Sequence, residues 1–334
     1  MDAGCSPEIP RRAFMAVIAG GLLAAPLAAE AQMGKVFRVG FLTAYSSSAE
    51  AIVFESFRRG MRELGYEEGR NVVYEARWAE GKLERLPGLA AELVGLKMDV
   101  MAVANTPSVL AAKKATTTIP IVMMLVGDPV GTGLVDSLAR PGGNITGLST
   151  AVGELTVKRL ELLKQAVPRL SRVAALGQPG DPVFAVQMRH AEAVARSLRV
   201  EVFPVELRAV SELDRAFETI VKQRADGVLR LGDALVAPGR ERTIELATKH
   251  RLPMVSVQTE DAQAGFLMAY SANRPAQAHQ AATHVDKILK GAKPSSLPVE
   301  QPTKFVLAVN LRTAKALGLT IPRSLLQRAD QVIE

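Results

Sequence analysis

The sequence predicts an α/β protein built from two doubly wound parallel-sheet lobes, with a ligand cleft where the lobes face each other. Three observations lead there. Short β-branched runs alternate with amphipathic helical segments, the pattern of parallel βαβ units. The alternation restarts after residue 150, so there are two successive sets. The chain has 334 residues, 48% hydrophobic and 22% charged, enough for about two ordinary globular cores.

In the first set, strands are expected at 38–42, 72–77, 100–104, 121–125 and 145–149. A helix over 49–64 places Ile52, Phe57, Met61 and Leu64 on one face, and Gly65 is its expected stop. A second, over 84–96, turns Leu86, Leu89, Ala90 and Leu93 inward. A third starts near 107, and a fourth is expected over 133–139. The second set opens with a helix over 154–166 carrying Leu155, Leu160 and Leu163. Strands follow at 173–176, 202–205, 228–231, 254–257, 266–270 and 305–309, with helices at 183–198, 211–224, 239–249, 275–290 and 311–317. Right-handed crossovers put the ligand-facing loops at the carboxyl ends of such strands.

Residues 1–31 read as an export signal outside the fold. Arg11-Arg12 precede an apolar run from Ala13 to Ala29, which closes on the small-x-small site Ala29-Glu30-Ala31. The run is short for a membrane span and holds Pro26 and Gly20-Gly21. The paired arginines fit a twin-arginine route and equally the basic start of a general secretory signal. The single cysteine, Cys5, precedes the apolar run, so cleavage leaves a chain without disulfides or thiolate metal sites. The expected product is in the periplasm and does not span the membrane.

The net charge of +7 is dispersed, with no Lys/Arg run longer than two, which excludes a nucleic-acid footprint. Enzymatic constellations are missing. The histidines, His190, His250, His279 and His284, all fall in helical segments, and the five-residue spacing of the last two keeps them off one helix face. There is no Gly-x-Ser-x-Gly elbow. The run Gly127-Asp-Pro-Val-Gly-Thr-Gly lacks the lysine of a phosphate loop; it is either an anion-binding turn or a plain tight turn. Asp233, just after the strand at 228–231, is either a ligand contact or a turn residue.

Several blocks carry a family likeness: Gly60-Met-Arg-Glu-Leu-Gly-Tyr, Gly127-Asp-Pro-Val-Gly-Thr-Gly, Ser137-Leu-Ala-Arg-Pro-Gly-Gly-Asn, Leu297-Pro-Val-Glu-Gln-Pro-Thr-Lys-Phe and Lys315-Ala-Leu-Gly-Leu-Thr-Ile-Pro. From about Val36 to Glu334 the chain resembles the bacterial ABC-transporter substrate-binding proteins whose better-known relatives bind tryptophan or tyrosine. The resemblance implies a type I periplasmic-binding-protein fold with hinge crossovers near 149–152, 270–273 and 300–304. Lobe 1 would comprise 32–150 with 272–302, and lobe 2 would comprise 151–271 with 303–334. It implies no catalysis and no cofactor, and a monomer that delivers a small-molecule ligand to a permease and its ATPase; the alternatives are a ligand-sensing periplasmic module for a receptor kinase and an α/β enzyme.

The resemblance also places ligand contacts. They fall on Thr43, Tyr45, Ser46, Asn105, Thr106, Asp128 and Ser149 in lobe 1, and on Gln178, Asp181, Asp233, Glu260 and Tyr270 in lobe 2. For an amino-acid-like ligand, groups around Thr106 would hold a carboxylate and Asp128 or Asp233 an ammonium. Tyr45 or Phe184 would cover an apolar part. The chain departs from the family pattern at Asn105, Gln178 and Asp181, so the likeness does not name the ligand.

Overall fold

The computed structural model describes residues 35–232 and 235–334. The expected export signal and Asp233 lie outside the described residues. The chain forms β1 (Phe37–Thr43), α1 (Ser47–Glu63), β2 (Val72–Trp78), α2 (Leu86–Gly95), β3 (Val100–Ala104), α3 (Thr106–Ala115), β4 (Ile121–Val126) and β5 (Ile145–Ser149). There follow α4 (Val152–Ala166), β6 (Arg172–Gly177), α5 (Pro182–Leu198), β7 (Glu201–Glu206), α6 (Leu213–Lys222), β8 (Gly227–Arg230), α7 (Arg240–Lys249) and β9 (Met254–Ser256). The chain ends in α8 (Thr259–Ala264), β10 (Met268–Ala272), α9 (Arg274–Leu289), β11 (Phe305–Asn310), α10 (Leu311–Ala316), α11 (Arg323–Leu326) and β12 (Gln331–Ile333).

Two separate sheets result, as the fold class requires. The first is parallel, in the order β2-β1-β3-β4-β5; the second has the order β12-β11-β10-β9-β8-β6-β7. Among the described residues only the β10–β11 pair is antiparallel, with Tyr270 opposite Leu307. β1, β3, β4 and β5 of the first sheet are buried on both faces, the mark of a parallel sheet covered by helices on each side, while the edge strand β2 is half-buried. Val39, Phe41, Val100, Ala102 and Val122 pack under α1 and α9. The alternate residues Leu42, Met101, Val103 and Met123 pack under α2 and α3. Gly60 permits the close approach of α1 to α9: a Cβ there would stand 2.6 Å from the His279 carbonyl.

The chain passes between sheets at three places: from β5 to α4, from β10 to α9, and after the turn at Pro294–Ser296 back to β11. The third strap is pinned beside β5, where Ser149 N–H donates to the Glu300 carbonyl at 2.9 Å and Glu300 N–H to that of Gly147 at 2.9 Å.

The helix expected over 133–139 does not form. The segment runs as successive turns, because the Pro129 carbonyl collects the N–H groups of both Leu134 and Val135, Gly133 takes φ 69°, and Asp136 N–H turns back to the Pro141 carbonyl. Pro129 and Pro141 at its ends, with Gly131 and Gly133 between them, leave too little uninterrupted helix-forming sequence. The strand expected at 266–270 is shifted, and α8, α11 and β12 were not anticipated.

Candidate functional site

Four helices open on the gap between the sheets, and the sequence starts three of them by the same device. Asn105, Asp181 and Asn273 each cap a helix with a proline in its first turn. Their side chains accept from the N–H of Ser108, Val183 and Ala276. These caps hold α3, α5 and α9 with their first turns toward the gap, and α4 enters directly from the first strap.

A cavity of about 640 Å³, counted to its open mouth, lies there. One wall is lobe 1: Tyr45, Asn105, Thr106, Leu125 and Gly127, from the carboxyl ends of β1, β3 and β4. The other is lobe 2: Leu155, Arg159, Asp181, Val183 and Gln187, with Gly232 and Val257. Thr150, Val152, Ser271, Ala272 and Arg274 close it at two straps. This is the position at strand carboxyl ends where open α/β sheets place ligands. Non-glycine residues with positive φ border it, Asn105 at 66° and Leu125 at 56°, the kind of strain that collects at ligand sites.

Of the residues anticipated from sequence, Tyr45, Asn105, Thr106 and Asp181 line this cavity. Asn105 is committed to the framework: its Oδ1 accepts from Ser108 Oγ at 2.7 Å, and its Nδ2 donates to Thr43 Oγ1 at 2.8 Å. Thr43 therefore supports Asn105 from beneath and is fully buried. The Thr106 hydroxyl accepts from Gly127 N–H at 3.1 Å and fixes the turn after β4. Ser46 caps α1.

Asp128 does not face the cavity. At φ 44° its Oδ1 accepts from Gly131 N–H at 2.9 Å, and it borders a separate cleft with Ser149, Glu154 and His190. Glu260 borders another cleft, with Asn273 and Arg274. Gln178 is buried, its carbonyl accepting from Asp181 N–H. Tyr270 stacks its ring 5.9 Å from Phe305, and Phe184 packs on Gly177 inside lobe 2.

Sequence reading missed the arginines. Arg274 donates to both carboxylate oxygens of fully buried Glu50 at 2.8 Å, and its guanidinium lies 5.4 Å from the Tyr45 ring centroid. Burial pulls the Arg274 pKa down, but the Glu50 charge outweighs it and holds this group above its ordinary value. Arg159 is buried on α4 and donates from Nε to the Tyr270 carbonyl at 2.7 Å. That carbonyl is open to it because β9 ends at Ser256, opposite Ala269, one residue short. Gln187 bridges the backbone N–H and carbonyl of Gly232. Glu50, Arg159 and Gln187 carried no motif, since a polar residue inside an amphipathic stripe has no local signature.

Among the described residues, no group of three or more His, Cys, Asp or Glu is placed to hold a metal, and no helix is long and apolar enough to cross a membrane.

Comparisons with known proteins agree with this architecture. A tyrosine-binding protein of Clostridioides difficile is 25% identical over 265 residues, covering 79% of this chain and 76% of that protein. The crystal structure of a conserved domain protein from Vibrio cholerae superposes with a TM-score of 0.84 at 28% identity, covering 89% of this chain and all of that one. An ABC domain from Streptococcus pneumoniae in complex with L-Trp gives a TM-score of 0.83 at 24% identity, over 90% of this chain and 100% of its own. The family model described as ABC transporter substrate binding protein matches residues 39–333, and with two such lobes enclosing such a cavity the chain belongs to that family.

Proposed function

We propose that this protein is the periplasmic receptor of an ABC importer. It takes up a small organic molecule, amino-acid-like or an aromatic carboxylate, between its lobes and hands it to a membrane permease and ATPase. The observation that carries this reading is the cavity itself: both lobes and two of the straps contribute walls, so a ligand held there favours the lobes drawn together. Tyr45 and Thr106 would contact the ligand from lobe 1, and Asp181 and Asp233 from lobe 2. Lobe 1 is taken as 32–150 with 272–302, and lobe 2 as 151–271 with 303–334. In this reading the protein binds its ligand without transforming it, in keeping with membership of a substrate-binding family. Residues 1–31 would direct export.

A thermal-shift screen of the purified chain against amino acids and aromatic carboxylates tests the reading. A ligand at 100 times its dissociation constant adds about 2.7 kcal/mol to stability. No shift across the panel, together with no co-purifying small molecule by mass spectrometry, refutes it.

A further inference from the structure

Resting on the receptor reading, we propose that Arg159 is the anchor for a carboxylate on the ligand, and that this protein selects apolar-bodied carboxylates over otherwise identical molecules without that group.

Arg159 differs from the other cavity arginine. The charge of Arg274 is taken up by Glu50. The Arg159 side chain is 3% exposed, and no carboxylate among the described residues is paired with it. Its only hydrogen bond among these residues runs from Nε to the Tyr270 carbonyl. The two terminal nitrogens of the guanidinium donate to no described residue, yet Arg159 lines the cavity. Burying a cation without a counter-charge costs several kcal/mol, and folded proteins rarely retain one without a use. Burial lowers the Arg159 pKa to about 9, which leaves it protonated at neutral pH.

The geometry suits one kind of partner. With Nε tied behind, the group presents a planar fork of donors, which matches the two oxygens of a carboxylate. Beside the polar Asn105, Thr106, Asp181 and Gln187, the cavity offers an apolar set for the rest of the molecule: Leu125, Val152, Leu155, Val183 and Val257, with the Tyr45 ring. A molecule with one anionic end and an apolar body fits both features. The anchor stands on α4 of lobe 2, opposite the Thr106 turn of lobe 1, so neutralising Arg159 is coupled to filling the cavity.

Isothermal titration calorimetry of the purified chain with two matched pairs tests this: L-tyrosine against tyramine, and 3-phenylpropionate against 3-phenylpropan-1-ol. The acid of a pair is expected to bind about 10- to 100-fold more tightly than its partner. Arg159→Gln should remove that preference, read as the ratio of the two affinities within a pair, and Arg159→Lys should keep part of it. Should Arg159→Gln fail to fold, the wild-type pairs and the lysine variant still decide. Equal binding within both pairs, or a preference that survives in Arg159→Gln, overturns the proposal. If the chain binds neither pair but the thermal-shift screen, widened to amines, alcohols and sugars, finds a ligand without a carboxylate, this proposal fails and the receptor reading stands. If the screen also finds nothing, both fail.

Discussion

Gly127 lies close against two helices of the second lobe, and adding one methyl group there tests whether binding requires the lobes to meet. A Cβ at Gly127 would lie 2.8 Å from Val152 Cγ1 and 3.0 Å from Val183 Cγ1. Both methyl groups belong to the first turns of helices on the second lobe, α4 and α5. Carbon atoms prefer about 3.5–4.0 Å, so the overlap is roughly 0.5–1 Å and must be relieved across the gap. Gly127 is not among the glycines with positive φ, so alanine keeps its backbone. Overpacking of this size costs about 1–3 kcal/mol. That cost falls on the closed arrangement, since opening the lobes removes the contact. Gly127→Ala should therefore weaken ligand binding about 5- to 150-fold. The unfolding free energy of the unliganded protein should change by less than about 0.5 kcal/mol. Calorimetric titration with L-tyrosine and L-tryptophan, alongside urea unfolding without ligand, reads both quantities. Adding Val183→Ala should return part of the lost affinity, as a double-mutant cycle would show. Unchanged affinity in Gly127→Ala, or an equal loss in unliganded stability, would refute the reasoning.

Three further outcomes follow from contacts elsewhere. Glu50→Gln leaves Arg274 without its buried counter-charge, and urea unfolding should show a loss of about 3–5 kcal/mol; a loss under about 1 kcal/mol would mean the pair is not ionic. Gly60→Ala drives a methyl group against the His279 carbonyl and the Ala282 Cβ, 2.9 Å away, and should cost about 1–3 kcal/mol, measurable as a lower melting temperature. His284 gives a pH dependence. Burial holds its imidazole pKa below the ordinary value, against the opposing pull of the Pro298 carbonyl and of Glu300 at 3.7 Å, with Lys287 adding to the lowering. The unfolded chain therefore takes up a proton near about pH 6.5 that the folded chain refuses. Stability is complete above that pH and falls as pH drops through it toward the lower folded value. His284→Gln should flatten the slope of unfolding free energy between about pH 7 and pH 5, by at most ~1.4 kcal/mol per pH unit.

Local signals in the sequence determined the number of lobes, the alternation of strand and helix, and the approximate starts of the cavity helices near 107 and 183. All of these are written in hydrophobic period or in a side chain and the backbone a few residues away. The turn Gly127-Asp128 was legible as an anion-binding or a plain tight turn, but not the direction of its parts: Thr106 reaches across to pin Gly127, and Asp128 turns outward to serve Gly131. Tertiary structure alone decided the charges of the site. Glu50 and Arg274 meet across 224 positions, and Arg159 reaches a carbonyl 111 positions away, left open because a neighbouring strand ends early. Periodicity reports which face of a helix is buried. What a buried charge finds opposite it depends on how distant segments pack, and no spacing along one stretch of chain encodes that.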